Sequence, residues 1–332
     1  MEANHKILDN RFYDYLRITK EVLRRSSKVD VVHVSSNAWY MFPLIWASIG
    51  KPIVIGPNLT WKTHGPIETL SSETVSILNE YDPGRVERME LYGEEVEKLR
   101  FLLAHYTTVD HTRFVCFSDY VKRNALIQRG LPENIIDVLP SGVPRDVFYA
   151  DGPEAPRLGY EKEILFVGGK STSQFKGLGV LLDSLDIVNN DIHLRVIGAN
   201  EVETSLETKY QAVADRVHFE GWMPRRKLAK YYRSADAFIL PSYAEAEATT
   251  KIEALACGTP CIATDDGVFR ENVIGDSTIF FKRGNPASLS NSLQDFYDNE
   301  AYYKREAHAN AENYDIAKTF KQLKRTYQAV CD

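Results

Sequence analysis

Pro241 to Thr264 reads PSYAEAEATTKIEALACGTPCIAT. The apolar run Phe238-Ile239-Leu240 just before it has the character of a short buried strand, and Pro241 stops it. Thr249 and Thr250 are placed to cap a helix from Lys251 to Cys257, Gly258 to end that helix in a left-handed turn, and Pro260 to Ala263 to open the next strand. A helix N-terminus at the carboxyl end of a strand offers unpaired N–H groups and a partial positive charge, which together make an anion site. Glu245 and Glu253 stand eight positions apart around this helix start. Carboxylates accept hydrogen bonds from hydroxyls and repel phosphate. The stretch therefore suits a ligand that carries both sugar and phosphate. Thr250-x-x-Glu253 also fits a capping box, in which Glu253 would only tie back to the Thr250 N–H.

Upstream, Ile164-Leu165-Phe166-Val167-Gly168-Gly169-Lys170 leads to Phe175-Lys176-Gly177 and a helix from Leu178. This is a strand, a glycine turn bearing lysines, and a helix. Its glycines do not follow G-x-G-x-x-G, so a dinucleotide fingerprint is not supported. Solvated lysines on a plain turn are the other reading. Both stretches fall at the carboxyl ends of expected parallel strands, where open α/β sheets bind ligands.

Further outward, short buried strands are expected at Val31 to Val34, Ile53 to Ile55, Phe114 to Phe117 and Ile135 to Leu139. A second series is expected at Ile164 to Val167, His193 to Ile197, Val217 to Phe219, Ala237 to Leu240, Pro260 to Ala263 and Thr278 to Phe281. Helical periodicity occupies Phe12 to Arg25, Tyr40 to Ser48, Arg85 to His105, Tyr120 to Arg129, Leu289 through Asn313 and Asp315 to Val330. Alternation of this kind predicts an α/β chain with parallel sheets covered on both faces. Gly152, Pro153, Pro156 and Gly159 mark Asp146 to Tyr160 as a linker. The expected division is 1–150, 151–314, and a closing helix over 315–332.

At 332 residues the chain has room for two cores, and its 44% hydrophobic and 26% charged content is that of a globular protein. A net charge of -6 argues against a general nucleic-acid binder. Cys116, Cys257, Cys261 and Cys331 lack metal-type spacing and read as reduced thiols. No apolar run approaches the ~20 residues of a spanning helix, and the opening residues do not form a secretion signal. A cytoplasmic location is expected. Arg17, Lys20, Arg24, Arg25 and Lys28, with Leu16 and Leu23 on an apolar stripe, form either a solvated face or a contact with anionic lipid. Asp265-Asp266 has no D-x-D spacing, and no metal cluster or cofactor is expected.

The block Pro241, Ser242, Glu245, Glu253, Ala254, Ala256, Cys257, Gly258 and Pro260 resembles the signature of glycosyltransferase family 4, which runs roughly P-S-x-x-E-G-F-G-x-x-x-x-E-A-x-A-C-G-x-P. Phe219-Glu220-Gly221-Trp222-Met223-Pro224 with Leu228 through Asp236, and Leu139-Pro140-Ser141-Gly142-Val143-Pro144, resemble further family segments. The resemblance implies a GT-B fold: two Rossmann-like parallel-sheet domains facing a cleft. It implies a retaining enzyme that moves a sugar from a UDP- or GDP-linked donor to a glycan, lipid-linked or protein acceptor, with no metal. The roles it carries over are Glu245 on the transferred sugar, Glu253 on the ribose, and Lys176 on the diphosphate with Gly168, Gly169 and Gly177. Lys170 would replace the family's arginine, which falls at Gly169. Met223 would lie in the loop beside the base; Trp222 is expected to be a packing residue, with a stacking platform as the other reading. Ala246, Glu247, Ala248, Thr249 and Thr250 would line the phosphates.

Ala246-Glu247-Ala248 departs from the family's Gly-Phe-Gly and would bring an extra carboxylate near the phosphate. Gly56-Pro57-Asn58 stands where family members often carry a histidine, leaving Asn58 or the nearby His64 to act by the acceptor. By comparison with the family the first domain is shortened at its N-terminus, to about four strands. These departures keep a second expectation open: a nucleotide-sugar-binding subunit that works with a protein partner or a second copy of the chain. The basic first helix keeps a peripheral membrane contact open as well.

Overall fold

A computed structural model describes residues 28, 30–34, 52–55, 112–123, 127, 132–169, 176–188, 191–199, 210–243, 245 and 247–331. The strands β1 (Val32–Val34), β2 (Ile53–Ile55), β3 (Thr112–Cys116) and β4 (Ile136–Val138) form a parallel sheet in chain order. A helical turn, α1 (Asp119–Val121), follows β3; its start is capped by Ser118 Oγ, which accepts the Val121 N–H at 3.0 Å. The expected helices at 12–25, 40–48 and 85–105 lie outside the described residues, as do Arg17, Lys20, Arg24 and Arg25.

The second sheet holds β5 (Lys162–Val167), β6 (Ile192–Ile197), β7 (Val217–Gly221), β8 (Ala237–Leu240), β9 (Cys261–Thr264) and β10 (Thr278–Phe281). All pairs are parallel, and the spatial order is β7-β6-β5-β8-β9-β10. The chain winds outward from β5 through β6 to β7, then returns to the other side of β5 with β8. This is the doubly wound order, and its reversal between β5 and β8 opens a crevice at the carboxyl ends of those two strands.

Alternate side chains of the central strands feed two cores, one on each face of the sheet. Ile164, Phe166, Leu194, Val196, Ile239 and Ile262 pack under α2 (Leu178–Ile187) and α6 (Pro286–Asp298). Leu165, Ile197, Phe238, Leu240 and Ala263 pack under α3 (Arg225–Ser234) and α4 (Thr249–Ala256). A short turn, α5 (Gly267–Arg270), follows β9. The helical stretch expected over 289–313 divides at Asn299, which ends α6 and starts α7 (Glu300–Asn310).

The last helix, α8 (Ile316–Cys331), lies against the first sheet. Its Val330, Leu323 and Tyr327 pack with Val54, Val115 and Leu139. Thr326 Oγ1 donates to Asp137 Oδ2 at 2.8 Å. Where the chain first leaves this sheet and where it returns to it, the two passes are stitched together. Val143 N–H donates to Tyr314 O at 2.9 Å, and Ile316 N–H to Val143 O at 3.1 Å. Segment 146–160 has no regular structure but is pinned to α3, with Ala155 N–H donating to Lys230 O at 3.0 Å and Arg233 reaching Tyr149 O and Pro153 O.

Candidate functional site

The turn after β5 and the loop after β8 touch at the reversal point. Gly177 sits at φ +74°, and a Cβ there would fall 2.1 Å from the Pro241 carbonyl oxygen, so no other residue fits without moving one of the two loops. That close approach brings Lys176 Nζ to 3.6 Å from Glu245 Oε1. Ser242 Oγ donates to the same carboxylate oxygen at 2.9 Å, and Thr264 Oγ1 donates to Ser242 O at 2.9 Å, which anchors the loop to β9. Gly168 adjoins: a Cβ there would lie 3.4 Å from Cδ of Lys176. Lys176 and Glu245, read from two separate stretches, therefore meet. Gly169 ends the described part of the β5 turn, whereas Lys170, Ala246, Asn58 and His64 lie outside the described residues.

Helix α4 opens beside this pair, and here the structure corrects the capping. The helix begins at Thr249, not Lys251, and its N-cap is Ala248, left-handed at φ 55° and without a side-chain cap. The chain must turn sharply between β8 and α4, and with no glycine available Ala248 takes the strained conformation. Thr250 Oγ1 is buried with no hydrogen-bond partner among the described residues. The capping box does not form, because Glu253 is drawn inward instead. Its Oε1 accepts Nε (3.1 Å) and Nη2 (2.7 Å) of Arg225, and its Oε2 accepts the Tyr232 hydroxyl at 3.1 Å. Burial pushes the Tyr232 phenol well above its ordinary range, with the Glu253 charge adding to the effect.

Glu247 turns toward the first sheet. Its carboxylate accepts the Thr249 hydroxyl at 3.0 Å and is bonded by Ser141 in the loop after β4. Burial raises its pKa above the ordinary carboxylate value. Met223 is buried, but Trp222 is 82% exposed, which overturns its expected packing role. The loop after β7 closes over Met223 and leaves the indole outside.

Three contributors were not evident from the sequence. Arg225 was hidden in the charge run Arg225-Arg226-Lys227, a pattern that ordinarily marks a solvated helix face. Lys251 is wholly buried and donates to Phe269 O at 2.6 Å and Glu271 O at 2.7 Å; burial lowers its pKa to about 8. Glu271 accepts the N–H groups of Asp119 (2.8 Å) and Tyr120 (2.5 Å), and so joins α5's end to α1. A cavity of about 610 Å³ lies at this junction, lined by Phe117, Tyr120, Arg123, Pro140, Glu271 and Asn272. Among the described residues, no group of three or more His, Cys, Asp or Glu side chains is arranged to hold a metal ion, and no helix is long and apolar enough to cross a membrane.

The segment that carries this geometry has known counterparts. Residues 154–314 match the family described as glycosyl transferases group 1. The chain is 30% identical over 204 residues to phosphatidyl-myo-inositol mannosyltransferase of Mycobacterium leprae, an alignment covering 58% of this chain and 53% of that one. It is 27% identical over 243 residues to mannosylfructose-phosphate synthase of Agrobacterium fabrum, covering 67% and 53%. The chain thus spans about half the length of these curated relatives. Among solved structures, HepE of Anabaena in complex with UDP superposes with a TM-score of 0.72 over 94% of this chain and 82% of its own, at 16% identity. A likeness at that identity carries the fold, which is GT-B: two parallel-sheet α/β units, the second of six strands.

Proposed function

We propose that this protein is a retaining glycosyltransferase of the family 4 type, moving a sugar from a UDP- or GDP-linked donor to a hydroxyl of a glycan, lipid or protein acceptor. The observation that carries this reading is the meeting of Lys176 and Glu245, 3.6 Å apart, beside the N-terminus of α4, which has no side-chain cap. A cation and a helix start suit a diphosphate, and a carboxylate suits sugar hydroxyls. The two side chains partly neutralise each other. An entering diphosphate takes over Lys176 and frees Glu245 for the polyol.

The bond from the anomeric carbon to the diphosphate oxygen then breaks while the acceptor oxygen bonds to the same face of that carbon. The acceptor proton passes to the departing phosphate oxygen, so no protein base is needed. Lys176, Lys170 and the α4 dipole stabilise the charge that develops on the leaving group. Glu253 holds the ribose. A cytoplasmic setting follows from the nucleotide-sugar donor, and a membrane surface enters only if the acceptor is lipid-linked.

Pure protein incubated with UDP- and GDP-sugars and an acceptor extract should release free nucleotide. Lys176→Ala should lower kcat/KM by about two orders of magnitude, the usual loss of ~3 kcal/mol when one such contact is removed. Undiminished release by that variant would end this account of the site. The self-neutralised Lys176–Glu245 pair and the added carboxylate of Glu247 favour a second reading, a subunit that binds nucleotide sugars without turning them over. Saturable donor binding with no nucleotide release, acceptor extract present, would select it.

A further inference from the structure

Glu253 is engaged on both carboxylate oxygens. A carboxylate offers about four acceptor positions. Two on Oε1 are filled by Arg225 Nε and Nη2, and one on Oε2 is filled by the Tyr232 hydroxyl. Among the described residues, one position on Oε2 stays open. Exposure orders the three groups in depth: Tyr232 is completely buried, the Glu253 side chain is 7% exposed, and that of Arg225 is 55% exposed. Tyr232 therefore backs the carboxylate and Arg225 covers it on the solvent side. The guanidinium is held from a second direction, with its carbon 5.0 Å from the Phe148 ring centroid. Fork and ring together fix its plane.

We propose that Arg225 is a positioning residue for the ribose of the nucleotide. It holds the Glu253 carboxylate so that the remaining acceptor position on Oε2 faces a ribose hydroxyl, and it offers its own N–H edge to the same sugar. The proposal rests on the reading that a nucleoside diphosphate occupies this site. It makes the recognition of ribose, rather than of base or phosphate, depend on a residue that belongs to α3 and not to the signature block.

The test is titration of the full chain with UDP and GDP and with their 2′-deoxy counterparts, for wild type, Arg225→Ala, Arg225→Lys and Glu253→Gln. Wild type should prefer the ribonucleotide it binds. Arg225→Ala should weaken that ribonucleotide about tenfold and bring the ribo-to-deoxy ratio close to one, as Glu253→Gln should. Arg225→Lys, with a charge but no fork, should fall between them. Arg225→Gln, of similar size, gives the same readout if the alanine variant melts early. An unchanged ratio in the Arg225 variants, or tighter binding once the guanidinium is gone, overturns the proposal while leaving the nucleotide reading intact. Failure of the wild type to bind either nucleotide overturns the reading beneath it, and the proposal with it.

Discussion

Lys251 shows how much one side chain can commit in this molecule. It is a fully buried cation whose recorded acceptors are two backbone carbonyls, on Phe269 and Glu271. Desolvation lowers its pKa from the ordinary lysine value of 10.5 to about 8. Between those two values the unfolded chain binds more protons than the folded one, so stability contributed by this site rises with pH across that window. Below about pH 8 both states are protonated and the burial cost of the charge is borne in full. Deprotonation removes that cost without losing either hydrogen bond, since a neutral amine still has two N–H donors. From pH 8 to pH 10 the wild type should gain about 2 kcal/mol relative to Lys251→Met in urea unfolding. A difference that stays flat over that range would contradict the assignment of a buried charge.

At the scale of elements, the site exists because two strand ends can touch. The β5 turn and the β8 loop close on each other at Gly177, where both the left-handed backbone and the lack of space exclude a side chain. Gly177→Ala combines an unfavourable φ with a clash against Pro241 O, and should cost about 3 kcal/mol. Gly258, at φ +76°, ends α4 as the sequence anticipated, yet a Cβ there meets nothing nearer than the Ala150 Cβ at 3.0 Å. Gly258→Ala should cost about 1 to 2 kcal/mol, from backbone strain and a contact with the Ala150 Cβ that is tight but less severe than the one at Gly177. Chemical denaturation of the two variants side by side checks the ranking; equal losses would mean that the β5–β8 contact is looser than its distances indicate.

For the whole molecule, the question is what ties the first sheet to the second. Glu271 reaches from the end of α5 to two N–H groups at the start of α1, while Lys251 grips the Glu271 carbonyl from α4. Tyr120 packs so closely on Gly267 that a Cβ there would lie 2.3 Å from its ring. The helix that forms one wall of the candidate donor site is thus connected, through one loop, to the first sheet. Glu271→Ala should remove the carboxylate to which the Asp119 and Tyr120 amides donate and speed their hydrogen exchange about tenfold or more. Glu271→Gln, which keeps an acceptor oxygen, should fall between. Unaltered exchange at those two amides in the alanine variant would show that the junction is held by packing alone.

The ten strands among the described residues stand within two residues of where apolar runs and breakers put them, because a strand buried on both faces is largely apolar and turn residues tend to end it. The two halves of the candidate site at Lys176 and Glu245 were legible for the same reason: each follows a readable strand. Their contact was not legible, since it depends on β8 returning to the far side of β5, a matter of winding that local pattern does not encode. Glu253 was ambiguous in one dimension, where Thr250 three residues earlier offers it a cap. Packing resolved the ambiguity by placing Tyr232 and Arg225 of α3 against it. Trp222 went the other way, an apolar residue left in solvent by the course of its loop. Local chemistry thus settled which of the described segments are strands and which loops carry charge. Which charges face one another was settled by long-range packing, because the pairs lie on segments far apart in the chain and meet only when the sheet is wound.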